Sequence, residues 1–309
     1  MVIAGIFFFL FGTVIGSFLN VCITRIPEDL SIVSPGSRCP RCKTAIKFYD
    51  NVPVFAWMWL KGKCRSCGEP ISVMYPLVEL ATGLLFVAAF LEYGITQATV
   101  KWLFFTCLII VLTITDLRVR LLPDLVTWPG FAAGLALSAF VPPSGGFGQA
   151  LSWQLLHQHL QPKAAGLAEA ILGAAFGGFV LWGLAAGYKF ILKHDGMGMG
   201  DVKMMAMVGA FVGFRGTFLT LLFGSLLGSA IGVILLLAQL ATIWESPLAR
   251  RARQRGLRMD LGLRYRIARK YGLPFGTFLG IGALGIVYLL PLVEHLIELR
   301  FPALRGIFG

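Results

Sequence analysis

The most regular feature of this chain is a succession of long apolar blocks separated by shorter polar stretches. Each block approaches the roughly 20 residues that an α-helix needs to cross the hydrocarbon core of a bilayer. The eight blocks cover residues 2–23, 76–92, 99–115, 123–141, 167–192, 201–214, 217–243 and 273–293. The sixth block is short and its limits are weakly marked. The pattern predicts an all-α polytopic membrane protein with about eight transmembrane helices.

The polar stretches divide the chain into three parts. Residues 1–23 have neither the basic start nor the small-residue cleavage motif of a signal peptide, so we expect a retained first transmembrane helix. Residues 24–75 form a small polar lobe before the second helix. Residues 76–309 form the main membrane domain, with a strongly basic loop at about 244–272.

Composition adds an orientation to this picture. The chain is 57% hydrophobic and 14% charged, whereas soluble proteins average about 25% charged residues. Alternating helices place the two basic segments, 24–75 and 244–272, on one side, and the positive-inside rule makes that side cytoplasmic. Both termini are then outside. The net charge of +12 reflects this bias and contact of residues 250–270 with anionic lipid, so we expect no nucleic-acid partner.

Four cysteines of the polar lobe form two C-x2-C pairs, Cys39/Cys42 and Cys64/Cys67, with 21 residues between the pairs. This spacing is typical of a tetrahedral zinc site, in which each pair forms a tight turn that directs two thiolates to one point. Four thiolates complete the coordination shell, so the zinc is expected to be structural. Disulfides and thiol exchange are alternatives, of which a reducing cytoplasm disfavours the first.

Two aspartates occupy positions where an apolar chain should least tolerate them. Asp116 follows the third apolar block, and Asp201 opens the sixth after the glycine-rich run Gly196–Gly200. Carboxylates at membrane depth usually face a bundle interior or a water-filled cavity and are functional there. The predicted topology places both near the cytoplasmic face. If they meet, one can hold a proton while the other is ionised, which permits general acid–base hydrolysis of a peptide bond.

Structural roles are alternatives for the acidic residues near these positions. Asp124 follows Pro123 at a helix start, where capping and the helix dipole explain it well. Asp201 alone could be an N-cap after a flexible glycine loop. A helix dipole does not explain Asp116, because a negative charge is disfavoured at a helix C-terminus. Asn20, Asp50, Asn51 and Glu79 could bind a substrate at that face, or could equally serve capping and lobe packing.

Small residues recur in the fifth and seventh blocks. Gly224, Gly228 and Gly232 follow one another at intervals of four. This small-xxx-small pattern predicts a face on which another helix packs closely.

The motifs together resemble the prepilin peptidases, which are membrane aspartyl proteases of the GxGD type. The resemblance spans nearly the whole chain. Its segments are Gly16–Val21, the four cysteines, Asp50–Pro53, Tyr75–Leu80, Asp116–Asp124, Gly196–Lys203 and Pro274–Phe278. A basic stretch near 246–270 is longer than the family pattern leads us to expect.

This resemblance implies a function. Asp116 and Asp201 would be the catalytic pair, with Gly198, Gly200, Asp124 and Lys203 as supporting residues of the same motifs. The enzyme would remove the basic leader of type IV prepilins or pseudopilins at the cytoplasmic face of the inner membrane. It would then N-methylate the new N-terminus with S-adenosylmethionine, an activity that the family links with the cysteine lobe.

Three other functions remain compatible with the residues alone. The first is a peptidase without methyltransferase activity, since the chain carries no glycine-rich loop typical of soluble methyltransferases. The second is a proton-coupled transporter that uses Asp116 and Asp201 as a relay. The third is a zinc-binding scaffold without chemistry, which leaves Asp116 unexplained.

Overall fold

Helices make up almost all the regular structure of this protein in the computed structural model, which describes residues 1–143, 161–193, 198–243 and 274–300. The basic loop 244–272 and residues 196 and 197 of the glycine-rich motif lie outside the described residues. The helices are α1 (Val2–Arg25), α2 (Phe55–Trp59), α3 (Met74–Tyr93), α4 (Gln97–Val119), α5 (Asp124–Phe140), α6 (Pro162–Leu192), α7 (Met199–Ile243), α8 (Phe275–Tyr288) and α9 (Leu290–Arg300).

Among the described residues, five helices are long and apolar enough to cross a membrane, namely α1, α3, α4, α6 and α7. The helices α5 and α8 are shorter, with 17 and 14 residues. The predicted all-α, multi-pass architecture is therefore confirmed. The sixth and seventh apolar blocks both lie in α7, which Gly213 (φ 71°, ψ −173°) divides into two helices, as predicted. Glycine adopts this positive φ without steric strain.

The N-terminal part of the membrane domain is a tight pair of helices, α1 and α3. A Cβ built on Gly12 would lie 2.8 Å from Gly83 Cα, and one built on Gly16 would lie 2.8 Å from Glu79 Cα. These glycines let the two backbones approach closely, because in lipid the packing of small residues is a main source of helix association. The motifs around Gly16 and Glu79 are thus in direct contact.

The centre of the bundle is formed by α4, α7 and α8. Phe105, Ile109 and Leu112 of α4 are fully buried, as are Met204 and Phe211 of α7. Together they form one continuous apolar cluster. The helix α4 also contacts α1, α3 and α5, so it connects the N-terminal helix pair to the rest of the bundle.

The second half of α7 packs on α8 through the predicted small-residue face. A Cβ on Gly224 would lie 3.0 Å from Leu279, and one on Gly228 would lie 3.2 Å from Phe278. The first half packs on α6, where Gly173 and Gly209 bring the two backbones together. Glycine contacts therefore hold α7 against α6 and α8.

One hydrogen bond joins α1 to the start of α3, and another attaches the lobe between them to α3. Asn20 Nδ2 donates to the Tyr75 carbonyl oxygen at 3.0 Å. The Val54 backbone N–H donates to Glu79 Oε2 at 2.8 Å. Val54 has φ 62°, an uncommon conformation for a β-branched residue. Three of the four candidate substrate-binding residues thus have structural partners, since Asp50 also forms an ion pair with Arg65.

The glycine contact between α1 and α3 generates a stability prediction. Gly12→Ala should lower the free energy of unfolding by about 1–3 kcal/mol, because the new methyl group overlaps the α3 backbone. Gly5 lies in the same helix with nothing within 4 Å of its built Cβ, so Gly5→Ala should be neutral or slightly stabilising. Thermal unfolding in detergent measures both variants. Equal unfolding midpoints for the two variants would contradict the close packing.

Candidate active site

The two aspartates meet at one end of the helix bundle, around Gly276 of α8. Asp116 lies in the last turn of α4 and Asp201 in the first turn of α7. A Cβ built on Gly276 would lie 2.9 Å from Asp201 Oδ1 and 3.0 Å from Asp116 Oδ2. Asp201 Oδ1 and Asp116 Oδ2 are therefore at most about 6 Å apart, because both lie close to the same point. Both residues are nearly inaccessible, with 6% and 9% exposure.

The first turn of α8 stabilises the Asp116 carboxylate, which is disfavoured at the end of its own helix. Asp116 lies at the C-terminal end of its own helix, but its Oδ2 accepts a 2.7 Å hydrogen bond from the Thr277 backbone N–H. Pro274 precedes α8, so Thr277 stands in its first turn, where backbone N–H groups have no partner within the helix. The carboxylate thus occupies a helix N-terminus that favours negative charge. Asp201 has the same advantage at the start of α7.

The Thr277 hydroxyl can serve Asp116 in either protonation state. Thr277 Oγ1 lies 3.1 Å from Asp116 Oδ2 and 3.2 Å from the Thr113 carbonyl oxygen. A hydroxyl has one proton to donate and two lone pairs that accept. It donates to an ionised Asp116, or accepts from a protonated Asp116 while it donates to Thr113. This arrangement suits a carboxyl group that gains and loses a proton during a reaction.

Three glycines near the aspartates lie where a side chain would overlap a neighbouring residue. A side chain at position 280 would overlap Thr113 Oγ1, the one buried side-chain polar atom without a hydrogen bond among the described residues. A Cβ on Gly200 would lie 3.0 Å from Leu122 Cβ, and one on Gly276 would lie 3.1 Å from Leu122 Cδ1. Leu122, in the connection between α4 and α5, therefore packs beside the aspartates and helps to exclude water.

The remaining predicted supporting residues lie at the start of α7. The Gly198 carbonyl oxygen accepts a 3.2 Å hydrogen bond from the Asp201 N–H. Lys203 Nζ lies 2.7 Å from both carboxylate oxygens of Asp124. This ion pair links the first turns of α5 and α7. It is partly exposed, and such pairs contribute about 0–1 kcal/mol to stability. Its effect is to hold the start of α7 in place.

Sequence reasoning did not assign roles to Thr277, Gly276 or Leu122. The first two belong to the segment Pro274–Phe278, which the family resemblance had marked without a function. A signal was present, since a residue three positions after a proline that opens a helix offers a free backbone N–H. No local pattern indicated that this N–H would meet Asp116, which is 161 residues away along the chain.

The four lobe cysteines form a second candidate site, which could hold a metal ion. Their sulfur atoms all lie within 4.8 Å of one another. The two C-x2-C turns have the same geometry, with isolated bridges Arg38–Ala45 and Lys63–Pro70 at matching positions. The residue after each pair has positive φ, 58° at Lys43 and 72° at Gly68.

Hydrogen bonds prepare two of these thiols for metal binding. Hydrogen bonds from the Thr44 side chain and backbone lower the pKa of Cys42 to about 6. Backbone hydrogen bonds from Cys67 and Ser66 lower the pKa of Cys64. The thiolate is the form that binds metal, so these two shifts favour metal binding. The backbone hydrogen bond from Glu69 lowers the pKa of Cys67, but desolvation and the three other thiols together outweigh it and raise that pKa to about 12.

The contact between α8 and Asp116 generates a prediction. Thr277→Val keeps the backbone donor but removes the hydroxyl, so it should lower the free energy of unfolding by about 1–3 kcal/mol. Thr277→Ser keeps the hydroxyl and should recover most of this loss. Thermal unfolding in detergent compares the two variants. A valine variant as stable as the unaltered protein would show that the hydroxyl does not support Asp116.

Comparison with known proteins assigns this arrangement to a family. Residues 10–93 match the bacterial peptidase A24 N-terminal domain, and residues 103–233 match the type IV leader peptidase family. The second match contains both aspartates, and the first contains the four cysteines. No solved structure matches the chain.

Several curated relatives are named prepilin leader peptidase/N-methyltransferase. The protein of Myxococcus xanthus is 40% identical over 235 residues, which are 75% of this chain and 63% of that protein's own length. The Aeromonas hydrophila protein is 35% identical over 74% of this chain and 80% of its own length. The Klebsiella pneumoniae protein is 35% identical over 72% of this chain and 90% of its own length. The chain therefore belongs to the type IV leader peptidase family.

Proposed function

We propose that this protein is an aspartyl endopeptidase of the inner membrane. It removes the basic leader from type IV prepilins or pseudopilins and then N-methylates the new N-terminus with S-adenosylmethionine. The observation that carries the peptidase assignment is the meeting of Asp116 and Asp201 around Gly276. Methyl transfer is supported by the names of the relatives.

The chemistry follows from two adjacent carboxyl groups in different protonation states. Two carboxylates this close do not readily ionise together, so one of them holds a proton. The ionised group takes a proton from a water molecule that attacks the scissile carbonyl carbon. The protonated group donates its proton to the carbonyl oxygen, which gives a tetrahedral diol. The group that took the proton from water then gives it to the amide nitrogen while the C–N bond breaks, and the diol returns a proton to the other carboxylate, so no covalent enzyme intermediate forms. Thr277 supports Asp116 in either role, so the geometry allows the two aspartates to exchange functions within one cycle.

The position of the pair suits a substrate with a basic leader and an apolar helix. The end of α4 and the start of α7 lie at the same end of the bundle as the lobe, because α3 leads away from the lobe and α4 returns. We take this end to be cytoplasmic and both termini to be outside. The bond between leader and helix then lies level with the aspartates. Because both are nearly inaccessible, we expect Leu122 to move when the substrate binds.

A structural zinc ion in the lobe is the second part of the proposal. Tetrahedral zinc with Zn–S bonds of about 2.3 Å requires sulfur atoms about 3.8 Å apart. Cys39 Sγ and Cys67 Sγ are 3.7 Å apart. Cys39, Cys42, Cys64 and Cys67 would hold the ion, which would fix the two turns to each other. Four thiolates leave no position for a reacting ligand, so the ion takes no part in the hydrolysis.

The catalytic proposal predicts the loss of peptidase activity in two conservative variants. Asp116→Asn and Asp201→Asn should each reduce cleavage by about 10²-fold or more, since each removes a general acid–base group. The assay supplies purified protein with prepilin and S-adenosylmethionine that carries a labelled methyl group. Glu92→Gln, at the exposed far end of α3, is the matched control and should cleave normally.

The outcomes separate the alternatives. Full cleavage by either asparagine variant would exclude the aspartate pair as the catalytic centre. Cleavage by the unaltered protein without label transfer would remove the methyltransferase part and leave a peptidase. No cleavage of any prepilin by the folded protein in lipid would contradict the proposed function and favour a role such as proton relay.

The metal proposal predicts about one zinc ion per chain by elemental analysis of the purified protein. Cys64→Ser should lower both the zinc content and the thermal stability, because it breaks a closed four-ligand shell. Cys107→Ser is the control, since Cys107 lies in α4, away from the cluster. Zinc-free protein with all its cysteines reduced would refute the assignment.

A further inference from the structure

The lobe exposes a group of large apolar side chains that its own fold leaves uncovered. Phe55, Met58 and Trp59 of α2 are 62%, 63% and 82% exposed. They stand at positions i, i+3 and i+4, which lie on one face of a helix. Phe48, on the 3₁₀-helix Phe48–Asn51 that packs beside α2, is 88% exposed. We call these four residues the apolar face of the lobe.

The opposite side of α2 is turned into the lobe. Ala56 is buried. Trp57 Nε1 donates to the Ile71 carbonyl oxygen at 3.1 Å, and a Cβ on Gly62 would lie 2.9 Å from the Trp57 ring. The interior of the lobe is thus already filled by Trp57. The apolar face needs a partner outside the lobe.

The attachment of the lobe to α3 gives the depth of this face relative to the membrane. The helix α3 has 20 residues and a length of about 30 Å, which matches the hydrocarbon thickness of a bilayer. Glu79 is its sixth residue, about 7–8 Å from the start of the helix. Val54, which precedes α2 directly, donates to Glu79 Oε2. The start of α2 therefore lies beside the membrane-spanning helix, within about 7–8 Å of the boundary between headgroups and acyl chains.

The charges around the apolar face suit an anionic lipid surface. Lys47 directly precedes Phe48, and Lys61 follows Trp59 by two residues; both are exposed. Two of the lobe's acids, Asp50 and Glu69, are paired with Arg65 and Arg41, and the other two, Glu28 and Asp29, follow the end of α1. The basic residues of the lobe therefore outnumber its acids. Lysines beside aromatic residues are typical of interfacial segments, in which the ammonium groups reach the headgroups while the rings lie among the upper acyl carbons.

We propose that the apolar face of the lobe inserts into the membrane–water interface, with Lys47 and Lys61 at the anionic headgroups. The lobe is then held by the lipid on one side and by Glu79 of α3 on the other. This fixes the cysteine turns close to the membrane surface, at the end of the bundle where Asp116 and Asp201 meet. A second copy of the chain and a protein partner are the competing occupants of the face.

The test compares Trp59 with Trp57 in the full-length protein. The chain has seven tryptophans, so the emission of each of the two residues is obtained by subtracting the spectrum of Trp59→Phe or Trp57→Phe from that of the unaltered protein. The protein is placed in nanodiscs of phosphatidylcholine and phosphatidylglycerol, one copy per disc. Matched discs carry bromine atoms on the upper acyl carbons, which quench nearby indoles.

We expect brominated lipid to quench Trp59 about twofold or more strongly than Trp57, because only the Trp59 ring faces the acyl chains. Trp59 should also be protected from aqueous iodide. Emission of Trp59 at the wavelength of a water-exposed indole, with strong iodide quenching and no bromine effect, would overturn the proposal. A bromine-insensitive Trp59 that is protected from iodide only with two copies per disc would overturn it in favour of self-association. None of these outcomes depends on peptidase activity.

Discussion

The arrangement of this protein depends on the burial of two carboxyl groups side by side at one end of three packed helices. A carboxylate that loses its water is costly unless hydrogen-bond donors and favourable dipoles replace that water. The first turns of α7 and α8 supply both. Asp201 belongs to one of these turns, and Asp116 accepts from the Thr277 N–H of the other. The end of α4, the start of α7 and the start of α8 must therefore converge.

This convergence explains the small residues around the pair. Gly276 leaves room for both carboxyl groups, and Gly280 lets α4 approach α8 at Thr113. Leu122 fills the space beside Gly200 and Gly276, so water is largely excluded. Exclusion of water strengthens electrostatic interactions among the buried groups. In the proposed reaction, a peptide substrate would therefore have to displace the connection between α4 and α5 to reach the aspartates.

The lobe is stabilised by different interactions from those of the helix bundle. Its interior holds few large side chains, of which Trp57 is the main one, and a domain of this size normally needs an additional constraint. The two equivalent cysteine turns could provide this constraint by holding a metal ion between them. The buried Glu79 carboxylate then connects the lobe to α3 through the strained Val54. The lobe and the aspartate pair thus lie at the same end of the bundle, although different helices position them.

Sequence reasoning was most successful where the determining interactions are local or compositional. Apolar blocks predict helices because a bilayer requires about 20 apolar residues per span, and C-x2-C pairs predict turns because their geometry extends over only a few residues. Sequence reasoning also separated the two halves of α7, which Gly213 divides, but it was less complete where interacting residues are distant along the chain. It also gave no role to Thr277, whose partner Asp116 is distant along the chain.

The amino-acid sequence by itself thus determined the membrane class, the approximate helices, the cysteine cluster and the unusual position of two aspartates. Only the tertiary structure decided that these aspartates meet, that Gly276 lies between them, and that the first turn of α8 compensates Asp116 for lying at a helix C-terminus. The physical reason is that the periodicity of apolar residues and the spacing of motifs indicate which side chains of a segment must be buried. Which donor meets which buried carboxylate depends instead on how distant helices pack.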